Sequence, residues 1–144
     1  MNANTQTLIA PAAATHAADY ANAAGRVMIA AIFLLSGVGK ISAFEATAGY
    51  MSAMGVPGGL LPLVIAFEVG AALAIIAGFK TRLVALALAG FSLVTAVVFH
   101  ADLGDQTQFI MFMKNIAIAG GFLFLVANGP GALAIDNRGQ NNAE

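Results

Sequence analysis

Five polar side chains lie inside stretches of sequence that are otherwise apolar. They are a carboxylate, two amines, an imidazole and an amide, carried by Glu68, Lys40, Lys114, His100 and Asn115. A charge at the centre of an isolated membrane helix costs at least about 2.5 kcal/mol, so Glu68 has to be paired, hydrogen-bonded or protonated. The other four side chains can donate hydrogen bonds to an oxygen of a small molecule and stabilise negative charge that accumulates on reduction.

The residue types that most redox and metal centres need are scarce. The chain has no cysteine and two histidines, His16 and His100, which excludes disulfides, thiol chemistry, iron–sulfur clusters and cysteine-ligated zinc. We therefore expect no metal site and no intrinsic cofactor. The formal net charge of the chain is −1, whereas a nucleic-acid-binding protein usually has a basic surface. No nucleic-acid partner is therefore expected.

The elements that position these side chains follow from composition. Of the 144 residues, 60% are hydrophobic and 9% are charged, whereas soluble domains carry about 25% charge. Spanning a bilayer core takes about 20 helical residues, and four apolar stretches reach that length. The sequence thus predicts an all-α integral membrane four-helix bundle, embedded in the lipid bilayer. Its predicted helices cover residues 22–43, 60–79, 83–99 and 109–127, within a membrane domain at 22–138, between a flexible N-terminal tail at 1–21 and a C-terminal tail at 139–144.

Charge asymmetry between the two sides of the predicted bundle gives its orientation. Basic residues collect on one side, and we interpret three of them as topology anchors: Arg26, Lys80 and Arg82. The links on the other side carry Glu45, Asp102 and Asp105. The positive-inside rule places the basic side, and with it both termini, in the cytoplasm. The prediction is a multi-pass protein of the cell inner membrane.

Small residues and a short link indicate how the helices pack. The second span carries a small-residue stripe with a period of four, which we expect to pack on a neighbouring helix: Ala66, Gly70, Ala74 and Gly78. Only residues 80–82 separate spans two and three, which favours antiparallel neighbours. Lys40 follows Ser36 and Gly37 on one face of span one, and Lys114 shares a face with small residues of span four, so both amines are expected at helix interfaces.

With this topology all five polar side chains fall in the outer half of the bilayer, where they would converge in one bundle. Three interpretations stay open. The first is a structural network in which Glu68 neutralises Lys114 or Lys40 and fixes helix order. The second is a small-molecule pocket that opens to the outer leaflet. The third, a continuous proton path, has few titratable groups to use in the inner half.

Several stretches, taken in order, resemble the DoxX-like family of small bacterial membrane proteins. They are Arg26 to Lys40, Tyr50 to Pro57, Glu68 to Gly70, Gly78 to Arg82, Phe99-His100, Lys114 to Gly121 and Gly129 to Asp136. The resemblance implies a four-helix inner-membrane bundle and an association with redox work. Some members resemble the membrane subunit of a thiosulfate:quinone oxidoreductase, and others are linked to oxidative-stress complexes or quinone detoxification. The family's polar positions would be Arg26, Lys40, Glu68, Arg82, His100, Lys114 and Asn115.

Two functions from different classes are consistent with these observations. The first is a membrane subunit or anchor of a quinone-linked redox system, with a quinone as bound cofactor, redox-enzyme subunits as partners, and a pocket formed by Lys40, Glu68, His100, Lys114 and Asn115. The chain would not be catalytic alone, and whether it forms a homodimer stays open. The alternative is a non-catalytic membrane scaffold or assembly factor. A transporter is a third, weaker interpretation, because four spans are few for alternating access.

Overall fold

The computed structural model describes residues 12–138, which form five α-helices and no strand. The helices are α1 (Ala12–Ser42), α2 (Phe44–Ala53), α3 (Leu61–Ala77), α4 (Thr81–Phe99) and α5 (Gln106–Asn128). Within this part of the chain, α1, α3, α4 and α5 are long and apolar enough to cross a membrane. The predicted all-α architecture with four membrane spans is therefore confirmed.

The first helix is longer than the sequence pattern predicted. Helix α1 begins at Ala12 rather than at residue 22, so residues 12–21 of the predicted flexible tail are helical. This segment is rich in alanine, the residue with the highest helix propensity, and the structure continues the helix through it. Residues 1–11 and 139–144, which include the rest of the N-terminal tail and the C-terminal tail, lie outside the described residues.

The predicted link at residues 44–59 contains an additional helix that the sequence analysis missed. Helix α2 has ten residues, too few to span a bilayer, and it buries Met51 against the bundle. It ends before Gly55, whose φ of +80° requires the left-handed region that glycine adopts without strain. Helix α3 follows after a short 3₁₀ turn, with a proline in its first turn where the missing N–H costs nothing.

The four long helices pack as two pairs. Helix α1 packs mainly on α3, and α4 packs mainly on α5, whereas the contacts between α3 and α4 are fewer despite their short link. A core of aromatic and aliphatic side chains joins the pairs; it includes Phe33, Ile75, Leu88 and Phe122. The Phe33 ring lies 5.6 Å from Phe122 and 6.2 Å from Phe91 between ring centroids. Towards one end the two pairs separate.

The small residue that lets two helices approach closely lies outside the predicted stripe. Gly37 of α1 is the point of close approach to α3, because a Cβ there would lie 2.8 Å from the Val69 Cγ2 atom. On α3 itself, Ala66 and Gly70 are exposed, and a Cβ on Gly70 would meet no atom within 4 Å. The prediction that this stripe packs on a neighbouring helix is therefore wrong for its first half. A row of small residues on one face of a helix does not by itself determine which face a neighbouring helix covers.

The segment from Gly129 to Arg138 folds across one end of the bundle. The Asp136 carboxylate accepts hydrogen bonds from the backbone N–H groups of Lys80 (2.7 Å) and Thr81 (2.8 Å), at the start of α4. Partial burial alone would raise the pKa of Asp136, but the hydrogen bonds from Thr81 and Lys80 and the nearby charge of Arg26 lower that pKa below its usual value. The Asp136 side chain thus replaces an N-terminal cap that α4 itself lacks.

Arg26, predicted as a topology anchor, lies inside this end of the bundle with 3% of its surface exposed. Its guanidinium donates hydrogen bonds to the carbonyl oxygens of Leu133 and Ile75. The other two predicted anchors, Lys80 and Arg82, are exposed. We call the end of the bundle that carries Arg26, Lys80, Arg82 and Arg138 the basic end. The opposite end carries Glu45, Asp102 and Asp105, and we call it the acidic end.

Candidate functional site

A cavity of about 380 Å³ lies between the two helix pairs, towards the acidic end. All five helices contribute to its wall, and most of the lining side chains are apolar or aromatic, such as Ile32, Val64 and Phe91. Eight side chains that carry polar atoms interrupt this lining: Ser36, Lys40, Thr47, Tyr50, Glu68, Thr95, His100 and Asn115. A mainly apolar cavity with a few convergent polar groups is the usual form of a small-molecule site.

An ion pair forms one wall of the cavity. The Lys40 Nζ atom of α1 lies 3.0 and 2.8 Å from the two carboxylate oxygens of Glu68 on α3, and it also donates a hydrogen bond to the Ser36 hydroxyl one turn earlier. Glu68 is 4% exposed, so its charge is compensated inside the protein. Among the described residues this is the one ion pair between side chains. It joins α1 to α3 close to the point where Gly37 lets the two helices approach.

A second polar group faces the cavity from the other helix pair. On α4, the Thr95 hydroxyl is hydrogen-bonded to the Ser92 carbonyl (3.0 Å) and lies 3.4 Å from the Asn115 side-chain oxygen on α5. The Asn115 amide donates one hydrogen bond to the Met111 carbonyl at 3.0 Å. An amide nitrogen carries two N–H groups, so the second is free to donate to a molecule in the cavity.

Helix α2 and the end of α4 line the cavity near the acidic end. The Tyr50 ring of α2 stacks on the Phe99 ring of α4, with 5.6 Å between centroids and 26° between ring planes. The neighbouring His100 lines the cavity, and its Nδ1 atom is hydrogen-bonded to the Gln108 side-chain oxygen at 2.8 Å. Aromatic surfaces of this kind offer a flat apolar face to a planar ligand.

Four of the five side chains singled out in the sequence therefore line the same cavity: Lys40, Glu68, His100 and Asn115. Lys114 does not. It is exposed on the outer face of α5 and makes no hydrogen bond or ion pair within residues 12–138. Consecutive residues of a helix point about 100° apart, and here the rotation of α5 turns Asn115 towards the cavity and Lys114 away from it. The predicted convergence of Lys114 with Glu68 is wrong, and Lys40 is the partner of Glu68.

Sequence reasoning missed Tyr50 and Thr95 as parts of the wall. Ser36 was placed on the helix face of Lys40, because it stands four residues earlier, and in the structure it accepts a hydrogen bond from that amine and lines the cavity. Tyr50 and Thr95 gave no such signal, because Tyr50 belongs to a helix that was not predicted and a threonine inside an apolar helix is a common residue. Within the described residues no group of histidine, aspartate and glutamate side chains has the arrangement of a metal site.

The wall can hold a polar group in two ways. The Lys40 ammonium and the Asn115 amide are hydrogen-bond donors, and Glu68 and the Thr95 hydroxyl can accept. In a low-dielectric cavity such groups interact more strongly than they do in water, provided that their charges are compensated. A molecule with an apolar body and one or two oxygens therefore fits the chemistry of the lining better than a fully polar one.

Comparison with known proteins agrees with this architecture. A family model described as DoxX matches residues 21–101. The inner membrane protein YqjF of Escherichia coli (strain K12) is 50% identical over 111 residues, which cover 77% of this chain and 85% of that protein. The inner membrane protein YphA of the same strain is 40% identical over 120 residues, which cover 78% and 86%. No solved structure matches.

Both relatives are named as inner membrane proteins, and the four long apolar helices of this chain agree with a multi-pass location in that membrane. The family match covers more than half of the chain, and each relative aligns with more than two thirds of it. The chain belongs to the DoxX family.

Proposed function

We propose that the protein is a membrane subunit or anchor of a quinone-linked redox system, and that the cavity binds the ring of a quinone. The observation that carries the proposal is the cavity of about 380 Å³, whose apolar and aromatic wall contains the Lys40–Glu68 ion pair. Small-molecule sites typically occupy about 300–1,000 Å³. A quinone has a flat apolar ring and oxygens at its edge, which matches this combination.

The polar groups have a specific use in this proposal. A hydrogen bond from Lys40 or Asn115 to a ring oxygen would stabilise negative charge on that oxygen when the quinone is reduced. The Lys40 amine donates to Glu68 and Ser36, and its partly exposed side chain can turn one of these N–H groups to a ring oxygen. The chain has no cysteine, and we assign the supply of electrons to a partner redox subunit.

Ligand binding can be tested with the protein's own fluorescence. The chain has no tryptophan and two tyrosines, Tyr20 and Tyr50, and Tyr50 lines the cavity. In a Tyr20→Phe background Tyr50 becomes the single reporter, and titration with a short-chain quinone in detergent should give saturable quenching. We expect Lys40→Met and Asn115→Leu to weaken the apparent affinity about fivefold or more, because each removes a hydrogen-bond donor.

Lys114→Met is the matched control. It removes an amine from the same half of the bundle, but Lys114 is exposed outside the cavity, so the affinity should stay the same. Quenching that rises linearly with quinone concentration in every variant would indicate partition into the detergent and would refute the proposal. Equal weakening by Lys40→Met and Lys114→Met would attribute the effect to charge rather than to the cavity.

A second candidate function is a non-catalytic scaffold or assembly factor. It is favoured by the exposed small-residue face of α3 at Ala66 and Gly70, which no other helix covers within the described residues. Small residues on a membrane helix allow a second helix to approach closely. In this case Gly70→Leu should abolish cross-linking to membrane partners and leave quinone quenching unchanged.

A further inference from the structure

We infer that the basic end holds a second site, separate from the cavity, that binds the phosphate group of an anionic phospholipid. A pocket of about 270 Å³ lies there between the N-terminal half of α1 and the C-terminal end of α5. Its lining includes Asn22, Arg26 and Ile29 from α1 and Phe124 and Asn128 from α5.

The lining changes character along the helix axes. Asn22, Arg26 and Asn128 lie nearer to the basic end, whereas Ile29, Phe124 and the neighbouring Leu125 lie further along the helices towards the middle of the bundle, and all six line the pocket. A polar mouth above an apolar interior matches a phospholipid, which has a charged headgroup joined to acyl chains. A free anion would use the polar mouth alone.

Arg26 supplies a buried positive charge that the protein compensates only in part. Its guanidinium has five N–H donors and donates to the Leu133 and Ile75 carbonyls. Its Nε atom is buried and has no hydrogen-bond partner within residues 12–138. The carboxylate of Asp136 is bound by the backbone of Lys80 and Thr81 and makes no ion pair with Arg26. The Nε atom is enclosed by protein, so a phosphate group in the pocket would act by compensating the charge of Arg26 at short range.

A second arginine lies beside the pocket because of a glycine-containing turn. A Cβ on Gly129, which lines the pocket, would lie 3.2 Å from the Arg82 Nη2 atom, so glycine lets the guanidinium rest on the backbone. At Gly131 a Cβ would lie 2.8 Å from the Asn22 Cβ atom. The turn thus packs against both Arg82 and Asn22. In the part of the chain that is described, Arg82 has no carboxylate partner.

The charge of the surroundings favours an anion. The residues that line the pocket include no aspartate or glutamate, and the basic end carries four cations, Arg26, Lys80, Arg82 and Arg138, against two carboxylates, Asp19 and Asp136. Basic pockets between membrane helices bind the headgroups of anionic lipids, and arginine pairs with phosphate through two parallel hydrogen bonds. This use of Arg26 and Arg82 goes beyond setting the topology of the chain.

The test is native mass spectrometry of the full chain released from detergent with phosphatidylglycerol or phosphatidylcholine. We expect one phosphatidylglycerol to be retained in preference to phosphatidylcholine, and Arg82→Gln to weaken that retention about fivefold, the usual effect of one basic side chain near a membrane surface. Arg82 is exposed and its side chain makes no hydrogen bond or ion pair within residues 12–138, so this variant avoids the disruption expected at the buried Arg26. Arg82→Lys should restore part of the retention.

Arg138→Gln is the matched control, because it removes the same charge from the same end, whereas the atoms nearest to Gly129 at the edge of the pocket all belong to Arg82. Its retention of phosphatidylglycerol should equal that of the unmodified chain. Equal weakening by Arg82→Gln and Arg138→Gln would overturn the proposal in favour of diffuse charge attraction. Displacement of the lipid by an equal concentration of inorganic phosphate would overturn the assignment to a lipid and leave a site for a free anion.

Discussion

At the residue scale, the Lys40–Glu68 pair decides what the cavity can do. Glu68 is nearly fully buried, and a buried carboxylate without a partner would lose its charge or destabilise the fold. Lys40 lies near the end of α1, where its side chain is 23% exposed. Its amine can therefore reach either Glu68 or the aqueous side of the bundle. The pair therefore combines a fixed acid with an amine that can turn towards a ligand.

A double-mutant cycle tests this coupling. We expect Lys40→Met to lower the free energy of unfolding in detergent by about 3 kcal/mol, because it leaves Glu68 without its partner, and Glu68→Gln to cost less because Lys40 can turn to water. The double variant should be less destabilised than the sum of the two single variants. Strictly additive losses would show that the two side chains do not interact. Lys114→Met should change stability by less than about 0.5 kcal/mol.

The cavity-lining residues show how far sequence reasoning reaches at this scale. A carboxylate inside an apolar span has to be paired, hydrogen-bonded or protonated, and pairing with a lysine was one of the alternatives that this argument left open. It could not decide between Lys40 and Lys114, because the choice depends on how each helix is rotated about its axis. Lys114 precedes Asn115 by one residue, and the structure turns Asn115 rather than Lys114 towards the cavity. Rotation is set by packing against neighbours, which a single sequence does not show.

At the element scale, the crossing of α1 and α3 depends on Gly37. A Cβ at this position would lie 2.8 Å from Val69 and 3.2 Å from the Glu68 Cβ atom, so α1 would have to move away from α3. The same movement would lengthen the Lys40–Glu68 contact, since both side chains lie within one turn of this crossing. Close packing and the ion pair are therefore coupled through one glycine.

Gly37→Ala should lower the free energy of unfolding by about 1–3 kcal/mol, as other overpacking substitutions do. Gly70→Ala is the matched substitution on α3, where a new Cβ meets no atom within 4 Å, and helix propensity alone should make it neutral or slightly stabilising. Thermal unfolding of the two variants side by side provides the comparison. Equal destabilisation by both would show that Gly70 is also a contact point, as the small-residue stripe had predicted.

Asp136 links the C-terminal segment to the start of α4, and this link should depend on pH. The pKa of Asp136 in the fold is lower than its ordinary value of 3.8, so the ionised form stabilises the folded state above that value, and the gain is lost as pH falls below it. At neutral pH we expect Asp136→Asn to cost about 1 kcal/mol, the usual value of a helix cap. The difference in Tm between the two proteins should shrink at pH values below 3.8. A difference that is independent of pH would refute the role of the carboxylate.

The elements also show which parts of the fold the sequence could predict. The cores of the four spans were predicted because twenty-residue apolar runs have few alternatives to a membrane helix. Helix α2 was missed because it has only ten residues between turn signals, so the length criterion that identifies a membrane helix does not apply to it. The start of α1 was missed because the alanine-rich residues before Asn22 continue an existing helix, although they would scarcely form one in isolation.

At the scale of the whole molecule, the packing of the spans as two pairs explains both pockets. The cavity opens where the pairs separate towards the acidic end, and the second pocket lies between α1 and α5 at the basic end. The two ends differ in charge because, among the described residues, Arg26, Lys80, Arg82 and Arg138 outnumber the carboxylates at one end, and Glu45, Asp102 and Asp105 lie at the other. Which leaflet each site faces therefore depends on the orientation of the chain.

The positive-inside rule predicts that the basic end faces the cytoplasm, and the absence of cysteine from the chain makes this orientation simple to measure. Single cysteines at the exposed positions Lys80 and Asp102 would report the basic and acidic ends. In intact cells with a permeable outer membrane, an impermeant maleimide should label Asp102→Cys and leave Lys80→Cys unlabelled, and detergent should expose both. Labelling of Lys80→Cys alone would invert the topology, so that the cavity would face the cytoplasmic leaflet and the proposed lipid site the outer one.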